Sequence, residues 1–245
     1  MNFLNKLEKK YRKYAIPNLM YYIVMLYGAG LVIQLFAPMA YWRFLSLDIG
    51  ALMHGQIWRL VTFIIYPPTM GTFVFDSVFF GIISLFLYYS LGVTLERVWG
   101  AFRFNVFFLM GMVGEILAAL VSYFVFHQNL YVTTGFLNFS LFLAFAICFP
   151  DVQFYLFMVI PVKAKWMAIA ESAVYVYSFL VGSASTRCEI VLSLANVILF
   201  FLMTRNYSRI NPKEIHRKQQ FKQQTKIRMP GQPRHKCAVC GRTEA

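Results

Sequence analysis

The sequence predicts an all-α integral membrane protein with six transmembrane helices. Its 245 residues are 59% hydrophobic and only 13% charged, which is too apolar for an ordinary soluble domain. Apolar runs of bilayer-spanning length recur along the chain, and such runs form helices because a lone helix satisfies its own backbone in lipid. The predicted spans are Pro17–Ala37, Phe73–Leu95, Phe104–Phe126, Thr133–Phe149, Trp166–Gly182 and Ile190–Thr204.

Lysine and arginine residues concentrate on one side of this predicted bundle. The N-terminal segment, the loop between spans 2 and 3, the loop between spans 4 and 5 and the C-terminal tail carry five, two, two and eleven of them, which is twenty of the 23. The opposite side carries only Arg43, Arg59 and Arg187. Because loops rich in lysine and arginine stay in the cytoplasm, we predict that both termini are cytoplasmic.

Composition divides the chain into three segments: residues 1–16, 17–205 and 206–245. The first is basic and can form an interfacial amphipathic helix, since its apolar and aromatic side chains share one helical face. Those side chains are Phe3, Leu4, Leu7, Tyr11 and Tyr14. The second segment holds the six spans, and the third is a polar, basic tail. The net charge of +13 is explained by topology and by attraction to anionic membrane lipids, so no nucleic-acid partner is expected.

Two motifs flank the second predicted span. The first, in "GQIWRLVTFIIYPP", comprises Gly55, Gln56, Trp58 and Arg59, and the second, in "LGVTLERVWGAFRF", comprises Gly92, Glu96, Gly100 and Arg103. Trp58 and Arg59 are residue types that anchor loops at a membrane interface, which favours a structural role over a substrate gate. The second motif places Gly92, Glu96 and Gly100 on one helical face, where Glu96 can pair with Arg97 or Arg103.

Both motifs resemble those of the rhomboid superfamily, which implies a rhomboid-like bundle of six helices over about residues 17–205. Active rhomboid proteases carry a serine in a G-x-S-G motif on helix 4, a histidine base on helix 6 and a His-x-x-x-Asn pair on helix 2. Phe80 and Ser84 stand where that pair is expected, and the sixth span contains no histidine. The resemblance therefore implies a pseudoprotease, because a serine hydroxyl is a poor nucleophile without a base.

Besides Thr133 at its first position, the fourth span contains three polar side chains, Thr134, Asn138 and Ser140, within an apolar run. Ser140 lacks the two glycines of the rhomboid serine motif, whereas Thr134 precedes Gly135 near the expected position. We expect these groups to hydrogen-bond across helices. The alternative is an active intramembrane serine or threonine protease in which Thr134 or Ser140 is the nucleophile.

Two carboxylates lie inside predicted spans, Glu115 in the third and Glu171 in the fifth. A carboxylate facing hydrocarbon costs several kcal/mol, so each should face protein or water. They form either a functional site for a proton, a cation or a polar client residue, or buried hydrogen-bonded contacts between helices. A small ion-coupled carrier centred on both residues is therefore a further alternative.

The tail ends in "HKCAVCGRTEA", where Cys237 and Cys240 have the spacing of a zinc knuckle. Such knuckles need further ligands, and His235 is a tentative third. A second subunit can complete the site in a homo-oligomer, a longer form of the chain can supply another pair, or the metal is absent. A redox dithiol is disfavoured because no thioredoxin-like unit surrounds the pair.

The resemblance implies the function of the non-proteolytic rhomboid branches, the inactive rhomboids and derlins. Those proteins bind the transmembrane segments of client proteins. We therefore expect this chain to bind such segments, with the tail recruiting zinc or a partner. The compact architecture favours a bacterial plasma membrane.

Overall fold

The architecture is a helical bundle, given by a computed structural model that describes residues 3–66, 74–128, 132–156 and 160–204. The helices are α1 (Phe3–Tyr11), α2 (Leu19–Phe36), α3 (Pro38–Ala40), α4 (Ile49–Met53), α5 (Arg59–Thr62), α6 (Val74–Trp99), α7 (Ala101–Phe126), α8 (Gly135–Cys148), α9 (Ala164–Val181) and α10 (Ala184–Thr204). The strands β1 (Gln153–Leu156) and β2 (Ile160–Lys163) lie between α8 and α9. The segment Tyr41–Leu45 is one π-helical turn, and Arg12–Tyr14 and Phe63–Ile65 are 3-10 turns.

Four helices are long and apolar enough to cross a bilayer: α2, the part of α6 from Phe79, α7 and α10. This makes the chain a helical membrane protein, as its composition predicts. Helix α8 is a shorter apolar helix of 14 residues, and α9 is not among the four. A crossing of the bilayer by α8 and α9 therefore stays a prediction.

The outer surface of the bundle carries large apolar side chains. Phe86 on α6 is 76% exposed, and Leu180 and Val181 on α9 are each 68% exposed. A soluble monomer rarely exposes so many large apolar side chains. Contact with lipid removes these side chains from water, so the exposed surface fits a membrane environment.

The turn between α6 and α7 depends on Gly100. Its φ is +86°, and its N–H donates to the Glu96 carbonyl at 2.8 Å, which ends α6. One turn earlier, Glu96 Oε1 accepts a hydrogen bond from the backbone N–H of Asn18 at 2.7 Å, just before α2 begins. The predicted pairing of Glu96 with Arg97 or Arg103 is therefore wrong within the described chain, because Glu96 caps a neighbouring helix start instead.

Helix α1 packs against α7 and α10. Leu4 is only 1% exposed, whereas Tyr11 and Tyr14 of the predicted apolar face stay exposed. Arg103 at the start of α7 donates to the Glu8 carboxylate at 3.0 Å and to Asn5 Oδ1 at 3.1 Å. Part of the amphipathic face of α1 is thus buried against the bundle.

A two-stranded antiparallel hairpin, β1 paired with β2, follows α8. The sequence analysis predicts a loop at this position and no strand. Asp151 accepts hydrogen bonds from Lys165 at 3.2 Å and from Lys163 at 3.3 Å. These two ammonium groups, Lys165 foremost, lower the pKa of the Asp151 carboxyl, so the carboxylate stays ionised at neutral pH.

The core centres on the close packing of α7 against α10. Near the start of α7, the rings of Trp99, Phe107 and Phe200 lie in contact, with centroids 4.5 Å apart for Trp99 and Phe200 and 5.1 Å apart for Phe107 and Phe200. Farther along α7, Gly111 allows close approach of neighbouring helices, since a Cβ there would lie 2.4 Å from Leu137 and 3.1 Å from the Asn196 amide. Aromatic rings and a small residue together bring α7, α8 and α10 close together.

We predict that Gly92→Ala destabilises the protein whereas Gly28→Ala does not. A Cβ at Gly92 would lie 2.2 Å from Met20 Cγ on α2, and Met20 is fully buried. Overpacking of this kind costs about 1–3 kcal/mol. At Gly28 a Cβ would meet nothing within 4 Å, and alanine is the better helix former by about 1 kcal/mol.

Unfolding of both variants in detergent micelles, followed by circular dichroism, provides the measurement. Equal unfolding temperatures for the two variants would contradict the close contact between α2 and α6.

Candidate functional site

A chain of buried hydrogen bonds joins α2 to the start of α8. The Tyr27 hydroxyl donates to Asn138 Oδ1 at 3.1 Å, and Asn138 Nδ2 donates to Thr134 Oγ1 at 3.2 Å. The Thr134 hydroxyl then donates to the Tyr66 carbonyl at 2.8 Å. Tyr27, Thr134 and Asn138 are all buried. Each therefore has a protein partner where lipid would offer none.

Ser140 joins α8 to α10. Its hydroxyl donates to the Leu137 carbonyl of its own helix at 2.7 Å and accepts from Asn196 Nδ2 at 3.4 Å. One turn toward the start of α8, Ser193 donates to the Phe136 carbonyl at 2.8 Å. These bonds are short side-chain links between two packed helices, of the kind that stabilises transmembrane bundles modestly.

The surroundings of Thr134 and Ser140 are those of structural hydroxyls. Both protons go to backbone carbonyls, which cannot act as bases. Within the described chain, no histidine, lysine or carboxylate hydrogen-bonds to either hydroxyl. His54 and His127 are exposed in loop and cap positions.

The positions predicted to have lost catalytic residues, Phe80 and Ser84, lie half-buried on α6. The Phe80 ring makes an edge contact with Phe79. A phenylalanine side chain offers no hydrogen bond to an oxyanion, so this helix supplies no polar donor at that position.

A group of tyrosines and one glutamate occupies the space between α2, α6 and α9. We call it the tyrosine–glutamate cluster, and its members are Tyr27, Tyr88, Glu171 and Tyr175. Tyr88 on α6 lies within electrostatic range of the other three. The Tyr175 ring lies against Phe139 of α8, with centroids 4.0 Å apart. The cluster thus brings polar side chains of α2, α6 and α9 within electrostatic range of one another.

Two more carboxylates, Glu115 on α7 and Glu189 on α10, lie beside this cluster. Tyr175 is within electrostatic range of both, as well as of Glu171. Glu115 is only 4% exposed and lies beside the backbone of Leu137, and its Oε2 has no hydrogen-bond partner among the described residues. Glu115 and Glu171, which the sequence places in separate spans, therefore belong to one neighbourhood.

The sequence analysis misses Glu189, because it begins the sixth span one residue later. Helix α10 in fact starts at Ala184, and Glu189 is buried. The spacing of polar residues in the sequence could have indicated that Glu189 belongs to this helix. Ser185, Glu189, Ser193 and Asn196 recur at helical spacing and form one buried polar stripe on α10.

None of the three glutamates has a positively charged partner in the described ranges. The ion pairs found there are Arg103 with Glu8, and Asp151 with Lys163 and Lys165. Carboxylates that are buried without a counter-charge are costly in an apolar medium. The bundle therefore carries three acidic side chains without a basic partner among its described residues.

The first motif, Gly55 to Arg59, holds the irregular segment between α2 and α6 together. Arg59 is 3% exposed, and its guanidinium donates to Gln56 Oε1 at 2.7 Å, to the Ser46 carbonyl at 2.7 Å and to the Arg43 carbonyl. Trp58 is exposed, and its Nε1 donates to the Phe44 carbonyl at 3.1 Å. Gly55 has a φ of +94°, which glycine adopts without strain.

This segment also positions the start of α8. Leu47 and Val132 form an antiparallel bridge between buried residues, two positions before Thr134. Tyr66, which follows the 3-10 turn Phe63–Ile65, supplies the carbonyl that Thr134 contacts. Arg59 thus helps to position the start of α8 indirectly, by holding the backbone next to Leu47.

The residues described by the structure include no group of three or more histidine, cysteine or acidic side chains close enough to hold a metal ion. Cys148 and Cys188 are free and partly buried. The zinc-knuckle residues Cys237, Cys240 and His235 lie outside the described residues.

Comparison with models of protein families, with curated proteins and with solved structures gives no match. The side chains themselves therefore carry the functional inference.

We predict that Arg59→Lys lowers stability much more than Arg43→Lys. A single ammonium cannot replace three hydrogen bonds that leave a planar guanidinium in different directions, and unpaired buried carbonyls cost about 1–3 kcal/mol each. Arg43 is exposed, so the same exchange there removes little. Thermal unfolding of the two variants checks the difference. Similar small decreases in unfolding temperature for both variants would mean that stability does not depend on the three hydrogen bonds of the Arg59 guanidinium.

Proposed function

We propose that this chain is a rhomboid-like, non-proteolytic membrane protein that binds the transmembrane segments of client proteins. The proposed binding site lies between α6 and α9, and we call the gap that forms when these two helices separate the opening. The tyrosine–glutamate cluster carries the proposal, because it presents polar groups inside the bundle next to a helix that is only loosely buried. A client segment entering from the lipid meets these groups directly.

The packing of α9 supports this opening. Of its 18 residues, only Ala164 and Ala168 are buried. It packs against α8, α10 and β2, and extended packing against α6 is lacking in the described part of the chain. Helices in lipid gain little from burying apolar surface alone, so a thinly packed helix separates from its neighbours at low cost. Tyr88 and Tyr175 are then the first polar side chains that a client would contact.

The conformations of the motif residues support the rhomboid-like part of the proposal. Gly55 and Gly100 both have positive φ, which explains why glycine is needed at each position. All three nitrogens of the Arg59 guanidinium donate hydrogen bonds. These residues act as structural elements, and they are the same ones that carry the resemblance to the superfamily.

The hydrogen bonds of Thr134 and Ser140 support a non-proteolytic function. Removal of a catalytic base leaves only a small residue of activity even in a true hydrolase. Binding without cleavage needs no base. It needs hydrogen-bonding groups that can be shared with a client, and the tyrosine hydroxyls are such groups.

The proposed topology has six spans with both termini in the cytoplasm of a bacterial plasma membrane. In that orientation α1 and the basic tail lie next to the cytoplasmic leaflet, where anionic lipids attract lysine and arginine. The partners are then membrane lipids and client segments, and no nucleic acid is involved.

Photo-crosslinking in native membranes tests the proposal. A photoreactive phenylalanine analogue at Tyr88 or Tyr175 should yield adducts with proteins that contain a transmembrane segment, since both positions border the opening. The same analogue at Leu109, an exposed position on α7, should yield mainly lipid adducts. Equal protein adducts from all three positions would show that the opening has no special role.

We propose further that Cys237 and Cys240 bind zinc, with a second subunit supplying the same pair to complete four ligands. Elemental analysis of the purified full chain should then give about one zinc per two chains, the stoichiometry of a four-thiolate site. Serine at both positions should remove the metal, whereas serine at Cys148 and Cys188 should not. Zinc that persists after the tail substitutions would refute this assignment.

A further inference from the structure

A cavity of about 280 Å³ lies near the end of α6, beside the starts of α2 and α7. Four of the residues that line it recur along α6 at helical spacing and therefore share one face of that helix. The other two precede α2 and begin α7. The lining residues are Asn18, Tyr89, Val93, Glu96, Arg97 and Ala101. The cavity is thus formed by the ends of three helices, and it includes no member of the tyrosine–glutamate cluster.

The polar groups of this cavity are only partly used by the protein itself. Glu96 Oε1 accepts the backbone N–H of Asn18 at 2.7 Å, whereas Glu96 Oε2 is buried and has no hydrogen-bond partner among the described residues. The Asn18 side chain stands at the N-cap position of α2 but makes no capping hydrogen bond. A buried acceptor without a donor is costly, so an occupant that brings a donor stabilises the cavity.

The cavity also holds an acidic and a basic side chain that do not pair with each other. Glu96 and Arg97 are consecutive in the chain, yet neither belongs to an ion pair in the described ranges. A ligand with a single charge satisfies one of these side chains and leaves the other. A zwitterion satisfies both, with a phosphate for the guanidinium and an N–H donor for the carboxylate. A primary ammonium fits here better than a quaternary one, which has no N–H.

The lining changes in character along α6. Glu96 and Arg97 lie near the end of the helix, whereas Tyr89 and Val93 lie nearer its middle. Eight residues separate Tyr89 from Arg97, which is about 12 Å along a helix axis. Because α6 is long and apolar enough to span a bilayer, its end lies near a membrane surface. The cavity is therefore polar at that surface and aromatic and apolar toward the bilayer interior, an arrangement that suits a lipid better than a soluble ligand.

We propose that this cavity binds a phosphodiester that carries a primary ammonium, supplied by the headgroup of phosphatidylethanolamine. Arg97 donates to the phosphate, and Glu96 accepts from the ammonium. The Asn18 amide offers a further donor to the phosphate. Basic pockets between membrane helices bind phosphate-containing headgroups, and the added carboxylate favours a headgroup that also carries a positive charge. The acyl chains leave the cavity past Tyr89 and Val93. This lipid site goes beyond the proposed function and does not depend on client binding.

Native mass spectrometry of the purified, delipidated full chain in neutral detergent micelles tests the proposal. The lipid probes are phosphatidylethanolamine, phosphatidylcholine and phosphatidylglycerol with identical acyl chains, and soluble glycerophosphoethanolamine is the fourth probe. Phosphatidylethanolamine should bind about tenfold or more tightly than the other three. Choline has no N–H donor, glycerol has no positive charge, and the soluble headgroup has no acyl chains.

Arg97→Gln should weaken the binding of phosphatidylethanolamine about tenfold, because it removes a charge-assisted hydrogen bond to the phosphate. Arg12→Gln is the matched control, since Arg12 is exposed and does not line the cavity, and binding should be unchanged. Glu96→Gln should reduce the preference for ethanolamine over choline to less than about twofold, because glutamine can still accept from Asn18 but carries no charge. Unfolding temperatures show whether each variant is folded. Arg97 is exposed, so its variant keeps the proposal testable if Glu96→Gln does not fold.

Equal binding of the three lipids would overturn the proposal, and so would a preference for phosphatidylglycerol, because the site would then recognise phosphate alone. Equal losses in Arg97→Gln and Arg12→Gln would also overturn it, since general attraction to a basic protein would explain the binding. Soluble glycerophosphoethanolamine that binds as tightly as the lipid would refute the assignment to a lipid. None of these results bears on client crosslinking at Tyr88 or Tyr175, so the proposed function stands or fails separately.

Discussion

Lipid offers no hydrogen-bond partner, and this constraint organises the polar side chains that join α2, α8 and α10. Tyr27, Asn138 and Thr134 satisfy it by bonding to one another and to the Tyr66 carbonyl. Ser140 satisfies it through its own helix and Asn196. The bond from Tyr27 to Asn138 joins α2 to α8, and the bond from Asn196 to Ser140 joins α10 to α8. The same groups that would be costly in hydrocarbon thus align α2, α8 and α10.

Several buried polar atoms depart from this pattern, among them Asn105 Oδ1, Ser122 Oγ and Glu115 Oε2. Glu115 retains an unpartnered buried oxygen, and neither it, Glu171 nor Glu189 pairs with a positive group among the described residues. Structural polar groups in a membrane bundle are normally satisfied within it. This contrast separates the hydroxyl network, which holds helices together, from the acidic groups beside Tyr175, which the proposed function assigns to client binding.

The sequence predicts the helical membrane character and the approximate location of each long helix, because apolar runs of sufficient length have few other solutions. The sequence does not predict which polar and charged side chains pair with one another. Tyr27 and Asn138 are 111 residues apart, and Arg103 pairs with Glu8 rather than with nearby Glu96, because tertiary packing decides which charges meet. The hairpin after α8 also lacks a clear periodic signal. Glu189 is missed because the predicted sixth span, drawn from hydropathy, begins after this residue, whereas α10 begins before it and the fold buries its side chain.

The central claim is that the buried hydroxyls of α8 are structural and not nucleophilic. A serine-reactive fluorophosphonate, applied to the purified protein in the presence of a transmembrane substrate, tests it most directly. The account predicts no covalent label and no cleavage of the substrate, since neither Thr134 nor Ser140 has a base in reach within the described chain. Labelling and cleavage that both disappear in Thr134→Ala or Ser140→Ala would contradict it.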